Sequence, residues 1–298
     1  VETALLWWIY IGLALFVVGS LSRGLKYART PEHLRWDLYP VAHEPRRDHG
    51  GSYLEEKDWW AKPRETSKIG EAVAMGEEIF LLRGVWVNNR KLWWGSMLFH
   101  WGLYLMILTT VGLVVGALFP STWAWLGGIV GVLGAVSGAL LAIGSLFLLI
   151  MRGTDPKLKP YTAPLDLLNL ALLTALGVLS FLIAIGPTGM SAAMDAVSRL
   201  VRFQAPTVSG LLAAQMAVAA LFLLYMPFTR MVHYFTKYFT YHKIRWDDRP
   251  VEKGTKLEER LLAALNFGVS WSGEHVGAGK TWAEIATTIP GREEEEGK

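Results

Sequence analysis

LWWGSMLFHWGLYLMILTTVGLVVGALFPSTWAWLGGIVGVLGAVSGALLAIGSLFLLIM, residues 92–151, runs for 60 residues without a charged side chain. A helix crossing a bilayer needs about 20 apolar residues, so the run is too long for one span and right for two. Phe119-Pro120-Ser121 supplies the turn between them. Three more uncharged runs flank it: Thr3–Ser22 with 20 residues, Leu167–Met194 with 28 and Phe203–Thr229 with 27. Together they predict five transmembrane helices at 3–22, 93–118, 123–151, 165–187 and 208–238. The fold class is therefore all-α, a membrane protein whose five spans form an antiparallel bundle.

Charge at the ends of the spans predicts the orientation. Arg23, Lys26 and Arg29 follow the first span, Arg152, Lys157 and Lys159 follow the third, and Lys237 and Lys243 close the fifth. Basic residues concentrate on the cytoplasmic side, which puts the N-terminus outside and the C-terminus in the cytoplasm. Trp93, Trp94, Trp123 and Trp125 fall at span ends, where aromatic belts sit. The expected organisation is a first span at 1–22, a cytoplasmic loop at 23–92, a four-helix membrane bundle at 93–240 and a cytoplasmic tail at 241–298.

The two polar segments carry more apolar groups than a solvated connector needs. In the first loop, Ala72, Val73, Ile79, Phe80 and Leu82 alternate with charges at helical spacing. This is the pattern of a helix lying on a membrane or against a partner, and Trp59, Trp60 and Trp86 add to it. In the tail, LLAALNFGVSWSGEHVGAGKTWAEIATTIP precedes the acidic run Glu293–Glu296, which reads as disordered. Residues 50–92 and 244–290 are the expected docking surfaces for a cytoplasmic partner. Residues 188–207 carry Met190, Met194, Val197, Leu200 and Val201 at helical spacing, an expected interfacial helix on the outer face.

The chain has no cysteine. It cannot by itself ligate an iron–sulfur cluster or a thiolate-bound metal. Its net charge of +3 follows the membrane boundaries rather than forming a basic, aromatic-laced patch, so nothing points to nucleic acid.

Chemistry enters with two histidines. His100 lies in the second span, about 10 Å in from Trp93 at 1.5 Å per residue. His233 lies about 9 Å in from the cytoplasmic end of the fifth span. The topology, fixed without them, brings both to one depth on one side. Two imidazoles on neighbouring helices at matched depth are what a bis-histidine haem b requires. Arg230 and Lys237 flank His233 by three and four residues, placed to pair with haem propionates or to snorkel as ordinary anchors. Gly127, Gly131, Gly134 and Gly138 in the third span allow a close approach by a neighbouring backbone or a flat macrocycle.

LFHWG at 98–102, VSG at 136–138, PLDLLNL at 164–170 and PFTRMVH at 227–233 together resemble the cytochrome b family of the respiratory nitrate reductase gamma subunit. Its relatives include the membrane subunits of heterodisulfide reductase and of the Dsr and Tmc complexes of sulfate reducers. The resemblance is firmest over residues 90–240, and PFTRMVH is its most specific part. It implies a haem b subunit moving electrons between membrane quinone, expected to be menaquinone, and a partner. The long loop and the tail are closer to the heterodisulfide-reductase-like branch, which implies a cytoplasmic iron–sulfur protein, with further membrane or periplasmic cytochrome subunits. The gamma subunit binds a second haem through a His ten residues after the first ligand and another eighteen residues before the last. Thr110 and Gln215 stand there, so one haem, on the cytoplasmic side of the inner membrane, is expected. Three alternatives remain: a haem-free anchor that recruits a redox enzyme, a two-haem cytochrome using Met106 or Met216, and a transporter. A transporter would usually show inverted repeats, broken helices or buried charge at mid-membrane, and mid-membrane charge is absent.

Overall fold

The computed structural model describes residues 2–29, 57–58, 61–62, 67–208, 210–239, 252–273 and 276–288. Trp59, Trp60, His275 and the Glu293–Glu296 run fall outside them. The chain divides into two compact units, one of residues 1–23 and 76–233, the other of 24–75 and 234–298. All named elements are helical, and among the described residues five stretches are long and apolar enough to cross a membrane: Glu2–Arg29, Arg90–Leu118, Pro120–Thr154, Pro164–Ile185 and Gly210–Phe228.

In the first unit the spans are α1 (Glu2–Arg29), α4 (Arg90–Leu118), α5 (Trp123–Thr154), α6 (Pro164–Ile185) and α8 (Gly210–Tyr225). Between α1 and α4 come α2 (Lys68–Phe80) and α3 (Arg83–Asn88). α4 starts where the Asn89 side chain accepts from the Leu92 N–H at 3.0 Å. Phe119 ends it, and a 3-10 turn at Pro120–Thr122 leads into α5. α6 starts with Pro164, whose missing N–H costs nothing in a first turn. Asp166 closes that turn by accepting from the Ala163 N–H at 2.9 Å.

Glycine sets the spacing of α4, α5 and α6. A Cβ added at Gly102 would lie 2.4 Å from the Leu141 nitrogen, and one at Gly144 would lie 2.3 Å from the Phe99 nitrogen. A Cβ on Gly138 would lie 2.8 Å from the Gly177 oxygen, and one on Gly177 would lie 2.9 Å from the Gly138 oxygen. Helices approach this closely in lipid because association there relies on packing rather than on expelling water. Of the four glycines singled out by spacing, Gly138 makes such a contact and Gly134 lies under Met190, whereas Gly131 has no atom within 4 Å of its would-be Cβ. The close approach at Gly138 is to another helix. Phe99, Leu141, Leu148, Leu170, Leu173 and Phe222 fill the space this creates.

α7 (Ser191–Val201) is amphipathic, as its spacing predicted. Its start is also part of the bundle's packing. Met190 and Ala193 are buried with Leu113, Val130 and Ile183, closing one end of α4, α5 and α6. α1 joins through side chains: Trp8 donates to the Ala217 carbonyl at 3.0 Å and Tyr10 to that of Leu200 at 2.5 Å.

One expectation needs correction. The fifth span is not one helix over 208–238. After α8, two 3-10 turns at Met226–Phe228 and Arg230–Val232 precede the short α9 (His233–Lys237). Pro227 is the reason: it has no N–H to donate, and its ring clashes with the carbonyl four residues back. Thr229, between the turns, is extended at φ −109° and ψ 179°.

In the second unit, residues 252–288 form a small module of their own. α10 (Lys256–Leu265) and α11 (Trp282–Thr287) flank a loop closed by Val269 and Gly279. The Val269 N–H donates to Lys280 O at 2.8 Å and the Gly279 N–H returns to Val269 O at 2.7 Å. Thr281 and Glu284 form a reciprocal capping box. Leu262, Phe267 and Trp271 stay exposed.

The glycine contacts make a direct prediction. Gly102→Val and Gly144→Val each drive a side chain into a facing backbone and are expected to cost about 1–3 kcal/mol. Gly131→Ala meets open space and is expected to be neutral or stabilising. Thermal unfolding midpoints in detergent micelles distinguish these outcomes.

Candidate functional site

His100 and His233 come together. Their ring centroids lie 6.1 Å apart, with ring planes at 68°. His100 is carried by the unbroken α4, with Phe99 and Tyr104 ring centroids at 5.2 and 6.2 Å. His233 opens α9 immediately after the second 3-10 turn. The fifth candidate span, judged by helix length and composition, runs to Phe228, and His233 stands five residues beyond it on a separate short helix. The sequence reading had placed it on a continuous helix a turn inside.

Each ring is oriented by its own backbone. His100 Nδ1 is 2.7 Å from the Ser96 carbonyl oxygen, and His233 Nδ1 is 3.3 Å from that of Arg230. A carbonyl only accepts, so in each contact Nδ1 is the donor, and Nε2 is the ring nitrogen this contact does not use. Such an Nδ1–H···O=C bond selects which nitrogen can bind a metal and steadies the ring that binds it.

Helix five breaks where it does because three other groups hold the break. Tyr225 donates its hydroxyl to Asn169 Oδ1 at 2.7 Å, and Asn169 is only 3% exposed. Thr229 donates to Met226 O at 2.9 Å and accepts from the Met231 N–H at 3.0 Å. Arg230 Nη1 lies 3.4 Å from Asp166 Oδ2. Pro227 is fully buried, and a Cβ on Gly19 of α1 would come within 2.9 Å of it.

The donor set can be tested against a haem iron. Two imidazole nitrogens that shared one metal at about 2 Å each would bring their ring centroids within about 6 Å of each other. The observed 6.1 Å fits. Among the described residues no three His, Cys, Asp or Glu side chains converge as a metal site. Two imidazoles leave further coordination positions for another group to fill, as a macrocycle does in haem.

The other candidate residues divide. Arg230 is largely exposed, and Asp166 is a partner the sequence reading did not name. The Lys237 side chain lies outside the described structure. Thr110 gives its hydroxyl to its own helix, at 2.9 Å from Met106 O. Asn169, Asp166 and Tyr225 were missed as site residues. PLDLLNL at 164–170 carries signals for two of them, an Asp in the first turn and an Asn in an apolar run. Pro227 followed by Thr229 was the signal for the break.

The nitrate reductase gamma subunit family matches residues 85–247, just over half of the chain's 298 residues. No curated protein matches the chain.

The Asn169–Tyr225 bond should be measurable as a coupling. Asn169→Leu and Tyr225→Phe are each expected to destabilise the protein, and the double variant to cost less than their sum. A double-mutant cycle in detergent should return a coupling of about 0.5–2 kcal/mol.

Proposed function

Because the chain belongs to the nitrate reductase gamma subunit family, whose members are haem b membrane subunits of redox complexes, we propose that it carries one haem b between His100 and His233. In this reading it is the electron-transfer subunit of a membrane-bound oxidoreductase and performs no catalysis alone. It moves electrons between membrane quinone, menaquinone by the resemblance, and a cytoplasmic iron–sulfur protein of the heterodisulfide-reductase type. The observation that carries the reading is the 6.1 Å separation of the two rings with both Nδ1 atoms turned to backbone carbonyls.

The haem, when bound, supplies a one-electron redox centre. The chain's own residues supply the rest. His100 and His233 present neutral Nε2 atoms, and their Nδ1–H bonds to Ser96 and Arg230 make the rings better donors. Arg230 stabilises a propionate while Asp166 holds the guanidinium in place, and Lys237 serves the same face. Phe99, Leu141, Leu170 and Phe222 form an apolar core beside His100, which keeps water away and so tunes the potential. Thr110 and Gln215 leave the second haem position of the family without a histidine, which supports a count of one.

The orientation belongs to this reading too. With the N-terminus outside, the spans form an antiparallel bundle in the inner membrane and the histidine pair lies toward the cytoplasm. Iron–sulfur clusters must come from another subunit, since the chain has no cysteine. Residues 50–92 and the 252–288 module, with Leu262, Phe267 and Trp271 exposed, are the surfaces offered to it.

Haem quantification and reduced-minus-oxidised spectra test the proposal. Wild type is expected to carry one b-type haem per chain. His100→Ala and His233→Ala are each expected to lose the b spectrum while still inserting in the membrane. A wild type fully incorporated in membranes without a b spectrum would make the chain a haem-free anchor, and two haems would return the second site.

A further inference from the structure

The end of α2 meets the flank of α4 in an unusual way. Three aromatic donors of α4 take three successive carbonyls: Trp93 Nε1 to Leu81 at 2.7 Å, Trp101 Nε1 to Phe80 at 3.2 Å and the Tyr104 hydroxyl to Ile79 at 2.9 Å. These are carbonyls at a helix C-terminus, which have no partner within their own helix and ordinarily turn to water or a cap. Leu82, left-handed at φ 50° and buried, reverses the chain there. α3 then returns to Asn89, whose side chain caps α4.

The position of these donors fixes a depth. Arg90 and Lys91 are the charged edge of α4. Trp101 and Tyr104 lie about 15 and 20 Å beyond Lys91 at 1.5 Å per residue. Their side chains lean back toward the N-terminus, so the carbonyls they hold sit beside α4 near the level of His100. Backbone at that depth must have its hydrogen bonds satisfied by protein, and here it does.

Charges in the hairpin are satisfied internally. Arg83 pairs with Glu77, and Glu78 accepts from the Gly84 N–H at 2.8 Å. Three large apolar side chains of the hairpin face outward, Phe80, Leu81 and Val87 at 52%, 54% and 69% exposed, with Arg83, held by Glu77, and Asn88 exposed beside them. Trp86 packs edge-on against Trp93 at 4.7 Å, and the Arg90 guanidinium lies over the Trp86 ring. This is the arrangement of an element seated in the headgroup and upper acyl region.

We propose that residues 76–89 form a membrane-inserted hairpin whose outward face contacts lipid, held at the depth of His100 by Trp93, Trp101 and Tyr104. This narrows the surface left to a protein partner and is independent of whether a haem is bound.

The absence of cysteine makes the test direct. Single nitroxide labels on Phe80→Cys, Val87→Cys and, as an aqueous control, Lys253→Cys are read in proteoliposomes of the full chain. Collision with oxygen is compared with collision with a water-soluble nickel chelate. At Phe80 and Val87 oxygen is expected to dominate, and at Lys253 the chelate. In a Trp101→Phe, Tyr104→Phe background that still inserts, the chelate is expected to reach position 80 several-fold more readily. Chelate access equal to the Lys253 control overturns the proposal, as does shielding that appears only when a partner subunit is added. An unchanged profile in the double variant removes the aromatic donors as its anchor.

Discussion

A helix can be interrupted in a bilayer only if protein takes up the hydrogen-bonding groups that the interruption frees. The break at Met226–Val232 meets that condition, and the geometry around His233 depends on it. Pro227 ends α8, and Thr229 serves both sides of the gap with one hydroxyl, donating to Met226 and accepting from Met231. Tyr225 spends its hydroxyl on buried Asn169, and α1 seals Pro227 with Gly19. A continuous helix would have carried the ring of His233 around at 100° per residue from whatever face α8 presents. The extended residue at 229 uncouples the two, so α8 packs by its own apolar pattern and His233 is aimed separately.

The partner of that ring stands on a different kind of support. α4 is straight through His100 and is locked to α5 by Gly102 against Leu141 and by Gly144 against Phe99. The residue before His100 is thus itself part of a close helix contact in the bundle. α5 is fixed in turn to α6 through Gly138 and Gly177, with Thr174 donating to Ser145 at 2.9 Å. α6 then reaches back to the broken span through Asn169 and Asp166. The route from one histidine to the other therefore runs through three glycine-spaced helices and two polar bonds, all within one compact unit.

Five spans were legible in the sequence because lipid demands uncharged length, and length is readable residue by residue. The turn at Pro120 and the helix at 191–201 were legible for similarly local reasons. The interruption of the fifth span was not read. A hydropathy argument sees an unbroken run to Thr229 and extends it to the next charges, while a proline near a span end looks like a terminus. Matched depth selected His100 and His233 as a pair, on the assumption of a continuous helix that the structure does not have. Their proximity instead requires Asp166 and Asn169, which are 64 and 56 residues away from their partners, and no periodicity connects such positions. The glycines show the same limit. Spacing picked out Gly131, which touches nothing, and passed over Gly144, which faces another helix, because spacing reports a shared face and not what lies opposite it.

The two histidines also differ in what a perturbation would do to them, and this follows from their supports. His100 is oriented by the Ser96 carbonyl, one turn earlier on the same rigid helix, at 2.7 Å. His233 is oriented at 3.3 Å by Arg230, whose largely exposed side chain pairs with the better covered Asp166 among the described residues, and an ion pair with an exposed partner is generally worth no more than about 1 kcal/mol. The carbonyl that steers one ring is fixed by core packing, and the one that steers the other by a short turn at the edge of the span. A redox centre held between them would rest against a stiff wall on the α4 side and a softer one on the side of the break. Ligand geometry is one of the protein's levers on potential. If the pair holds a haem as proposed, the segment Met226–Val232, more than the helix bearing His100, would be where the chain tunes it.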